Sequence, residues 1–177
     1  MEISGRPEDG EFAAYARADI ERVAGEDAVA ALIEQEHATL TLLARLDDAA
    51  VGGIAYAPGK WTFKDVLAHL ADDERIYAYR ALCLARGDSK ELPGFDENLY
   101  ARNARGEERP WKDLLGDYRA VRKASITLFR GLTPGAWRRR GIVNGHAATV
   151  RGLAFHIAGH ELRHVAAIRE KYLPLVR

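Results

Sequence analysis

Apolar residues recur at intervals of three and four in four long stretches of the chain, which is the spacing of one face of an α-helix. No segment alternates apolar and polar residues convincingly enough to predict a β-strand. Because loops join the four helices, the pattern predicts an all-α fold, an antiparallel four-helix bundle, with Phe12 to Arg22 as a short extra N-terminal helical segment. The four predicted helices are about Asp27 to Leu46, Thr62 to Arg86, Trp111 to Leu132 and Thr149 to Tyr172.

Local signals support the ends of these helices and the extent of the domain. Thr62 followed by Asp65 resembles a capping box, with Asp in place of the usual Glu or Gln. Pro174 ends the last helix.

A chain of 177 residues that is 47% hydrophobic is long enough to bury one substantial core. We therefore expect residues 1–177 to form one domain, with residues 1–24 as an N-terminal extension.

The charge balance and the single cysteine narrow the class of protein. Lysine and arginine total 26, and aspartate and glutamate also total 26. This balance gives no general attraction to nucleic acid or to an anionic membrane. No apolar run approaches the ~18 residues that span a bilayer, and the acidic N-terminus lacks the apolar core of a signal peptide. Because Cys83 has no partner for an internal disulfide, we expect a cytoplasmic protein that binds neither nucleic acid nor a membrane.

Three histidines stand at helix positions from which they could share one metal ion. His160 and His164 are one turn apart on the last helix, roughly 40° apart around its axis, and border its apolar face. His69 borders the apolar face of the second helix, and antiparallel packing would bring it toward them. Three imidazoles leave at least one coordination position open, as a catalytic site requires. Helical spacing alone leaves open the alternative that all three are ordinary interior or surface histidines.

The letters H-E-x-x-H that begin at His160 are also the zinc signature of many metalloproteases, in which Glu161 would be the general base. Only thirteen residues follow His164, too few for the usual third ligand on a later helix, although Glu170 lies among them. Ala167 stands where the longer protease pattern has a glycine. No strand is predicted that could hold an extended peptide. The sequence therefore disfavours a protease.

Four other polar residues near these histidines are candidates for catalysis. Glu161 falls in the middle of an apolar face, where an ion pair with an arginine from another helix is expected and a general-base role is the alternative. Asp73, one turn after His69, either orients a histidine or faces solvent. Asn144 and His146, in a Gly-flanked loop before the last helix, either reach the open end of the site or reflect ordinary loop polarity.

A further histidine and a basic run complete the candidates. His156 lies one turn before His160 but is rotated away from His164, and it is a candidate fourth ligand. The densest basic patch either binds the carboxylates of a thiol cofactor or acidic substrate, or is a solvated loop. This patch consists of Arg138, Arg139 and Arg140.

Two long segments resemble the DinB-like superfamily, particularly its branch of metal-dependent hydrolases. They are "YAPGKWTFKDVLAHLADDERIYAYRALCLARGD", followed by "ELPGFDEN", and "VNGHAATVRGLAFHIAGHELRHVAAIREKYL". The resemblance covers almost the whole chain after about residue 25 and has a specific order, with one His early in the second helix and H-x-x-x-H late in the fourth. It implies a four-helix bundle, often dimeric, that binds zinc or nickel through His69, His160 and His164.

The resemblance also implies what the protein does. The first expectation is a divalent-metal-dependent hydrolase in which a metal-activated water attacks a small-molecule substrate. The first alternative is a thiol-dependent S-transferase or isomerase that uses a metal-bound low-molecular-weight thiol. The second alternative is a non-enzymatic metal-binding or stress-response module. The family pattern requires only the two histidines of "HELRH", so the Glu between them need not be a protease base.

Overall fold

The computed structural model describes residues 4–176, so residues 1–3 and 177 of the predicted domain lie outside the described part. Within it, the chain forms eight α-helices and a two-stranded antiparallel sheet. The helices are α1 (Arg17–Arg22), α2 (Ala28–Leu43), α3 (Asp48–Val51), α4 (Phe63–Ala85), α5 (Glu97–Ala104), α6 (Trp111–Arg130), α7 (Pro134–Trp137) and α8 (Val150–Ala167). The strands are β1 (Arg140–Val143) and β2 (His146–Thr149).

The long helices α2, α4, α6 and α8 pack together as a four-helix bundle, which confirms the predicted fold. α4 contacts α6 and α8, and α2 contacts the same two helices from the other side. His69, near the start of α4, meets His164, near the end of α8, whereas Tyr77 farther along α4 meets His156. These two helices therefore run antiparallel, as the sequence pattern predicted.

The predicted helix ends agree with the structure to within a few residues. The capping box at the start of α4 is confirmed: the Asp65 backbone N–H donates to the Thr62 hydroxyl at 3.2 Å, and the Thr62 backbone N–H donates to the Asp65 carboxylate at 3.1 Å. α8 ends at Ala167 and continues as one turn of π-helix, Ile168–Tyr172. Within residues 4–176, no helix is both long enough and apolar enough to cross a bilayer.

The interior consists of two apolar clusters with a polar layer between them. One cluster includes Tyr77 and Leu84 of α4 together with Phe155 of α8. The other includes Phe63 of α4 and Tyr172, which follows α8. Between them, α4 and α8 bury a set of polar side chains that face each other across the helix pair. They are His69, Asp73 and Glu74 on α4, and His156, His160 and Glu161 on α8.

The segment before the last helix is a β-hairpin, which the hydrophobic pattern did not predict. β1 and β2 are only four residues long, too short for alternation to be recognised. The turn between them is Asn144-Gly145, with φ values of 52° and 74°. Asn-Gly is the sequence most typical of a tight hairpin turn, because both positions need a positive φ. The prediction that the chain has no β-strand was therefore wrong here, although the Asn-Gly turn signal was present in the sequence.

The predicted N-terminal helical segment is also present, in a shorter form. A 3₁₀ turn at Ala14–Ala16 leads into α1, which packs against α8. The approach is close at Gly159, where a Cβ atom would lie 2.1 Å from the carbonyl oxygen of Asp19. Asp19 also accepts a hydrogen bond from Arg163 at 3.0 Å. α1 is thus held against the part of α8 that carries His160.

Candidate metal centre

The structure brings His69, His160 and His164 together. One ring nitrogen from each lies within 4.8 Å of the other two, and no further His, Cys, Asp or Glu of residues 4–176 joins the group. The Nε2 atoms of His69 and His160 are 3.1 Å apart. The i, i+4 spacing places two of the rings on one face of α8, and antiparallel packing supplies the third from α4. We call these residues the histidine cluster.

Burial keeps the histidine cluster uncharged. Loss of solvation lowers the pKa of His69 to about 4 and of His164 to about 3, with the charge of Arg163 adding to both shifts. The pKa of His160 lies well below its usual value, first because of burial and then because of the neighbouring histidines. All three imidazoles are therefore neutral at pH 7, and a neutral imidazole can offer a lone pair to a cation.

Three buried side-chain atoms in the cluster or next to it make no hydrogen bond within the described residues. They are Nε2 of His164, Oδ2 of Asp73 and Nδ1 of His156. Asp73 Oδ2 lies 3.4 Å from Nδ1 of His160, which is at the edge of hydrogen-bonding range, and 3.8 Å from Nε2 of His156. Burial raises the pKa of Asp73 to about 8, although Arg80 opposes the shift. Buried polar atoms normally have a partner, so three unpaired atoms this close together are unusual.

His156 lies next to the histidine cluster without belonging to it. Its ring stacks on Tyr77 at a centroid distance of 3.9 Å and lies 5.6 Å from the ring of His160. Burial lowers the pKa of His156 to about 3. The side chain is thus held by packing against α4, one turn away from the three converging nitrogens.

Two neighbouring clefts reach the cluster. The first, of about 420 Å³, is lined by Asp73, His160 and Asn144, and we call it the Asp73 cleft. The second, of about 520 Å³, is lined by Trp61 and His164, and we call it the Trp61 cleft. A small molecule of ordinary size would fit in either.

The comparisons with known proteins agree with this architecture. The family model of the DinB superfamily matches residues 8–168. The chain belongs to the DinB superfamily. No sequence among the curated proteins matches it significantly.

Among solved structures, this DinB-superfamily chain is similar to YfiT from Bacillus subtilis. The two share 18% sequence identity, with a TM-score of 0.74 over 94% of this chain and 95% of YfiT. YfiT is described as a probable metal-dependent hydrolase with an unusual four-helix bundle topology. At this level of identity the likeness establishes the shared fold.

Glu161 lies in a buried ion-pair network. Arg122 of α6 forms an ion pair with Glu161 and a second one with Glu74, at 2.8 Å. Glu161 also accepts hydrogen bonds from the hydroxyls of Tyr118, at 2.7 Å, and Thr39, at 2.5 Å. The expected ion pair with an arginine from another helix is therefore confirmed. Both carboxylate oxygens are occupied by these donors, which argues against a general-base role for Glu161.

The hairpin residues lie in different surroundings. Asn144 lines the Asp73 cleft, and its backbone N–H donates to the carbonyl of Leu92 at 2.8 Å. His146 is exposed on β2 and makes an edge-to-face contact with Tyr15 at 5.7 Å. Of these two candidates, Asn144 lies at a cleft that reaches the histidine cluster, whereas His146 does not line either cleft.

The basic run lies away from the clefts. The side chain of Arg139 donates to the backbone carbonyl of Ala85, and Arg140 forms a 3.3 Å ion pair with Glu11. Arg138 is exposed. In the described part of the chain, none of the three arginines lines the Asp73 cleft or the Trp61 cleft. A run of consecutive arginines in the sequence therefore did not identify the cationic side chains that line the clefts.

Three side chains at the site were not identified from the sequence. The Trp61 ring lies 4.6 Å from the ring of His69 and is nearly parallel to the ring of His164, at 6.3 Å. Glu97 and Arg163 line both clefts. Arg163 stands three residues after His160 on the same helix, a spacing that could have indicated it. Glu97 begins α5 in a segment without a clear pattern, so no comparable signal was available.

Proposed function

We propose that this protein is a divalent-metal-dependent hydrolase in which His69, His160 and His164 bind one metal ion, zinc or nickel, beside a cleft for a small molecule. The observation that carries the proposal is the convergence of nitrogens from three neutral imidazoles, two of them buried and one half-buried, within 4.8 Å of one another. Burying this many polar nitrogens in apolar surroundings is costly without a partner that satisfies them.

The donor set fits a catalytic ion better than a structural one. Three imidazoles suit zinc and nickel, and structural zinc sites usually have four protein ligands. A divalent ion held by three neutral imidazoles keeps its full charge and lowers the pKa of a bound water or thiol toward ~7. The two clefts supply access for the molecule that reacts.

Asp73 is proposed as the residue that positions His160. Its carboxyl faces Nδ1 of His160, while Nε2 of the same ring faces His69. A carboxylate behind a ligating imidazole commonly fixes the tautomer and the ring orientation. Asp73 also lines a cleft, so its carboxyl can exchange a proton with a molecule bound there. Asn144 lines the same cleft and is proposed to donate a hydrogen bond to that molecule.

A specific observation also supports the thiol-dependent alternative. The Asp73 cleft meets the cluster at His160 and the Trp61 cleft meets it at His164. A hydrolase needs room for one organic substrate and water, whereas an S-transferase or isomerase that uses a low-molecular-weight thiol needs room for two organic molecules. Two clefts that share one cluster are compatible with the second arrangement.

Assays with and without a thiol distinguish these functions. Protein loaded with zinc or nickel is tested on small esters, amides and thiol-reactive electrophiles. His164→Ala is the variant expected to be inactive, and His37→Ala, at an exposed position, is the matched control expected to keep activity. Metal-dependent turnover without thiol is the expected result. Turnover only with thiol would instead establish the transferase. Metal binding without turnover of any compound, and without an exchangeable water on the metal, would indicate the non-enzymatic module.

We also propose a cytoplasmic homodimer. The exposed groove between α4 and α6 supports a contact surface, because it is lined by Ala78, Tyr79, Leu82 and Leu128, and Tyr79 is 60% exposed. The free thiol of Cys83 supports a reducing compartment. Sedimentation equilibrium of the wild type and of Tyr79→Glu tests the dimer: the wild type is expected at twice the monomer mass, and the variant as a monomer.

A further inference from the structure

The Trp61 cleft has an excess of positive charge. Lys60 and Lys171 line it together with Arg163, which is paired with Asp19 at 3.0 Å, and Glu97 is the single carboxylate among its described lining residues. Lys60 and Lys171 are exposed side chains at its edge, where a bound anion would reach them. A cavity lined mainly by one sign of charge concentrates ligands of the opposite sign.

The same cleft has an aromatic wall. Trp61 and His164 are nearly parallel, with an interplanar angle of 10°, and Tyr56 meets Tyr172 edge to face at 5.2 Å. The ammonium group of Lys171 lies 4.9 Å above the ring of Tyr56, which holds this cation beside the aromatic surface. Planar or apolar groups pack well against such a wall.

The Asp73 cleft has a different balance of charge. Its lining includes the carboxylates of Asp19 and Glu97 and the carboxyl group of Asp73. Its two guanidinium groups already have partners, because Arg163 pairs with Asp19 at 3.0 Å and Arg80 donates to the carbonyl of Pro93 at 2.6 Å. Of the two routes to the histidine cluster, the Trp61 cleft is therefore the one that favours an anion.

We propose that the Trp61 cleft binds the carboxylate and the adjoining planar or apolar part of the substrate, so that the enzyme acts on small organic acids rather than on neutral or cationic molecules. This inference rests on the proposed function, because it names the substrate class of the same site. Lys60 and Lys171 hold the anionic group, Trp61 contacts the planar part, and His164 at the inner wall places the molecule against the cluster.

Binding of benzoate to the metal-free, full-length protein tests this assignment. Trp111 and Trp137 are 2% and 5% exposed, so Trp61 is the tryptophan whose fluorescence responds to a molecule in the cleft. Benzoate is expected to change the emission in a saturable way, and Trp61→Phe is expected to abolish the change. Benzamide, which has the same shape without the charge, is expected to bind at least severalfold more weakly. Equal binding of benzamide and benzoate would overturn the proposal.

Substitutions that each remove one charge from the cleft should change benzoate affinity in opposite directions. Lys60→Gln and Lys171→Gln are each expected to weaken benzoate binding by about threefold, the size of a partly screened surface charge interaction. Glu97→Gln is expected to tighten it by a similar factor. Lys123→Gln, an exposed lysine of α6 outside the cleft, is the matched control and should change nothing. Unchanged affinity in both cleft lysine variants would contradict the proposal.

These measurements separate the anion site from the metal site. Benzoate binding is measured without metal, so it does not require the histidine cluster to hold an ion. If the protein binds no metal but binds benzoate with the expected charge dependence, the proposed hydrolase fails and the anion site stands. If it binds metal but does not distinguish benzoate from benzamide, the anion site fails and the proposed function stands.

Discussion

Two buried polar clusters lie side by side in the bundle and are built from neighbouring residues of the same helices. The arginine cluster consists of Glu74 on α4, Glu161 on α8 and Arg122 on α6, and its members are joined by ion pairs. The histidine cluster has His160 directly before Glu161 on α8, and its members are neutral rings whose nitrogens converge. α4 and α8 thus contribute residues to two clusters, one of which includes the arginine cation of α6 while the other consists of neutral histidines.

The difference shows what each cluster needs in order to be stable. Burial acts to lower the pKa of Arg122, but the charges of Glu161 and Glu74 outweigh it and raise this pKa above its usual range. Its guanidinium also donates to the carbonyl of Leu32, so the cation is held from several sides. In the histidine cluster, Nε2 of His164 has no partner within the described residues. The arginine cluster is complete within the protein, whereas the histidine cluster is proposed to be completed by a bound metal ion.

Removal of the internal cation should have the largest effect. Arg122→Met leaves two carboxylates buried without a counter-charge, and breaking a buried ion pair in this way costs about 3–5 kcal/mol. Urea unfolding of the metal-free protein measures the loss. Arg75→Met is the matched control, because Arg75 is 47% exposed and its ion pair with Asp117 contributes little, about 0–1 kcal/mol. Equal losses in the two variants would contradict the stabilising role of the arginine cluster.

Addition of the proposed metal ion should have the next largest effect. Zinc at one hundred times its Kd is expected to raise the free energy of unfolding by about 2.7 kcal/mol, because it binds only the folded state. Thermal unfolding with and without zinc measures the change. His160→Ala should lose the stabilisation, and the exposed His37→Ala should keep it. Stabilisation of both variants to the same extent would mean that zinc binds elsewhere.

A change behind the cluster should weaken the metal site without removing it. Asp73→Asn keeps the size of the side chain but removes the carboxylate that faces His160, and changes of this kind lower metal affinity by about 10–100-fold. Competition with a chelator of known affinity measures the Kd for zinc. Asp72→Asn, at the neighbouring half-buried position, is the control and is expected to leave the Kd unchanged. An unchanged Kd in Asp73→Asn would rule out the positioning role.

The smallest effect concerns the pH dependence of stability without metal. The pKa of His164 in the folded protein, about 3, is lower than the usual histidine value of 6.5, so between these pH values the unfolded state binds a proton and the folded state does not. The stabilisation that comes from the low pKa of His164 is therefore present at high pH, and the free energy of unfolding falls as the pH drops below 6.5. His164→Ala should reduce the loss between pH 7 and pH 6 by roughly 0.7 kcal/mol, and His37→Ala, at an exposed position outside the cluster, should not reduce it. Parallel curves for His164→Ala and wild type would contradict this.

The periodic features of the sequence predicted most of the fold and the core of the site. The capping box of Thr62 and Asp65 gave the start of α4, and the helical spacing of His160 and His164 gave two converging rings. Both features depend on residues within one helix, so local geometry is sufficient to predict them. The hairpin at Asn144 was missed because its strands are shorter than the window in which alternation can be recognised.

Features that depend on packing between helices could not be predicted with the same precision. The sequence indicated that Glu161 needs an arginine, but the choice of Arg122 depends on how α6 is rotated against α8. The basic run that begins at Arg138 was a candidate anion site because three arginines are consecutive there. Lys171 and Arg163 line the Trp61 cleft, although neither lies in a dense basic run. The surroundings of a surface cation follow from tertiary structure, which spacing along the chain does not encode.

The most direct test of the account is elemental analysis of protein purified without an affinity tag or added chelator, with His160→Ala prepared in parallel. The account predicts about one equivalent of zinc or nickel in the wild type and loss of that metal in the variant, since the ion binds only where three neutral imidazoles converge. Wild-type protein that holds no metal, even after reconstitution at neutral pH, would contradict the account. The same conclusion would follow if His160→Ala kept as much metal as the wild type.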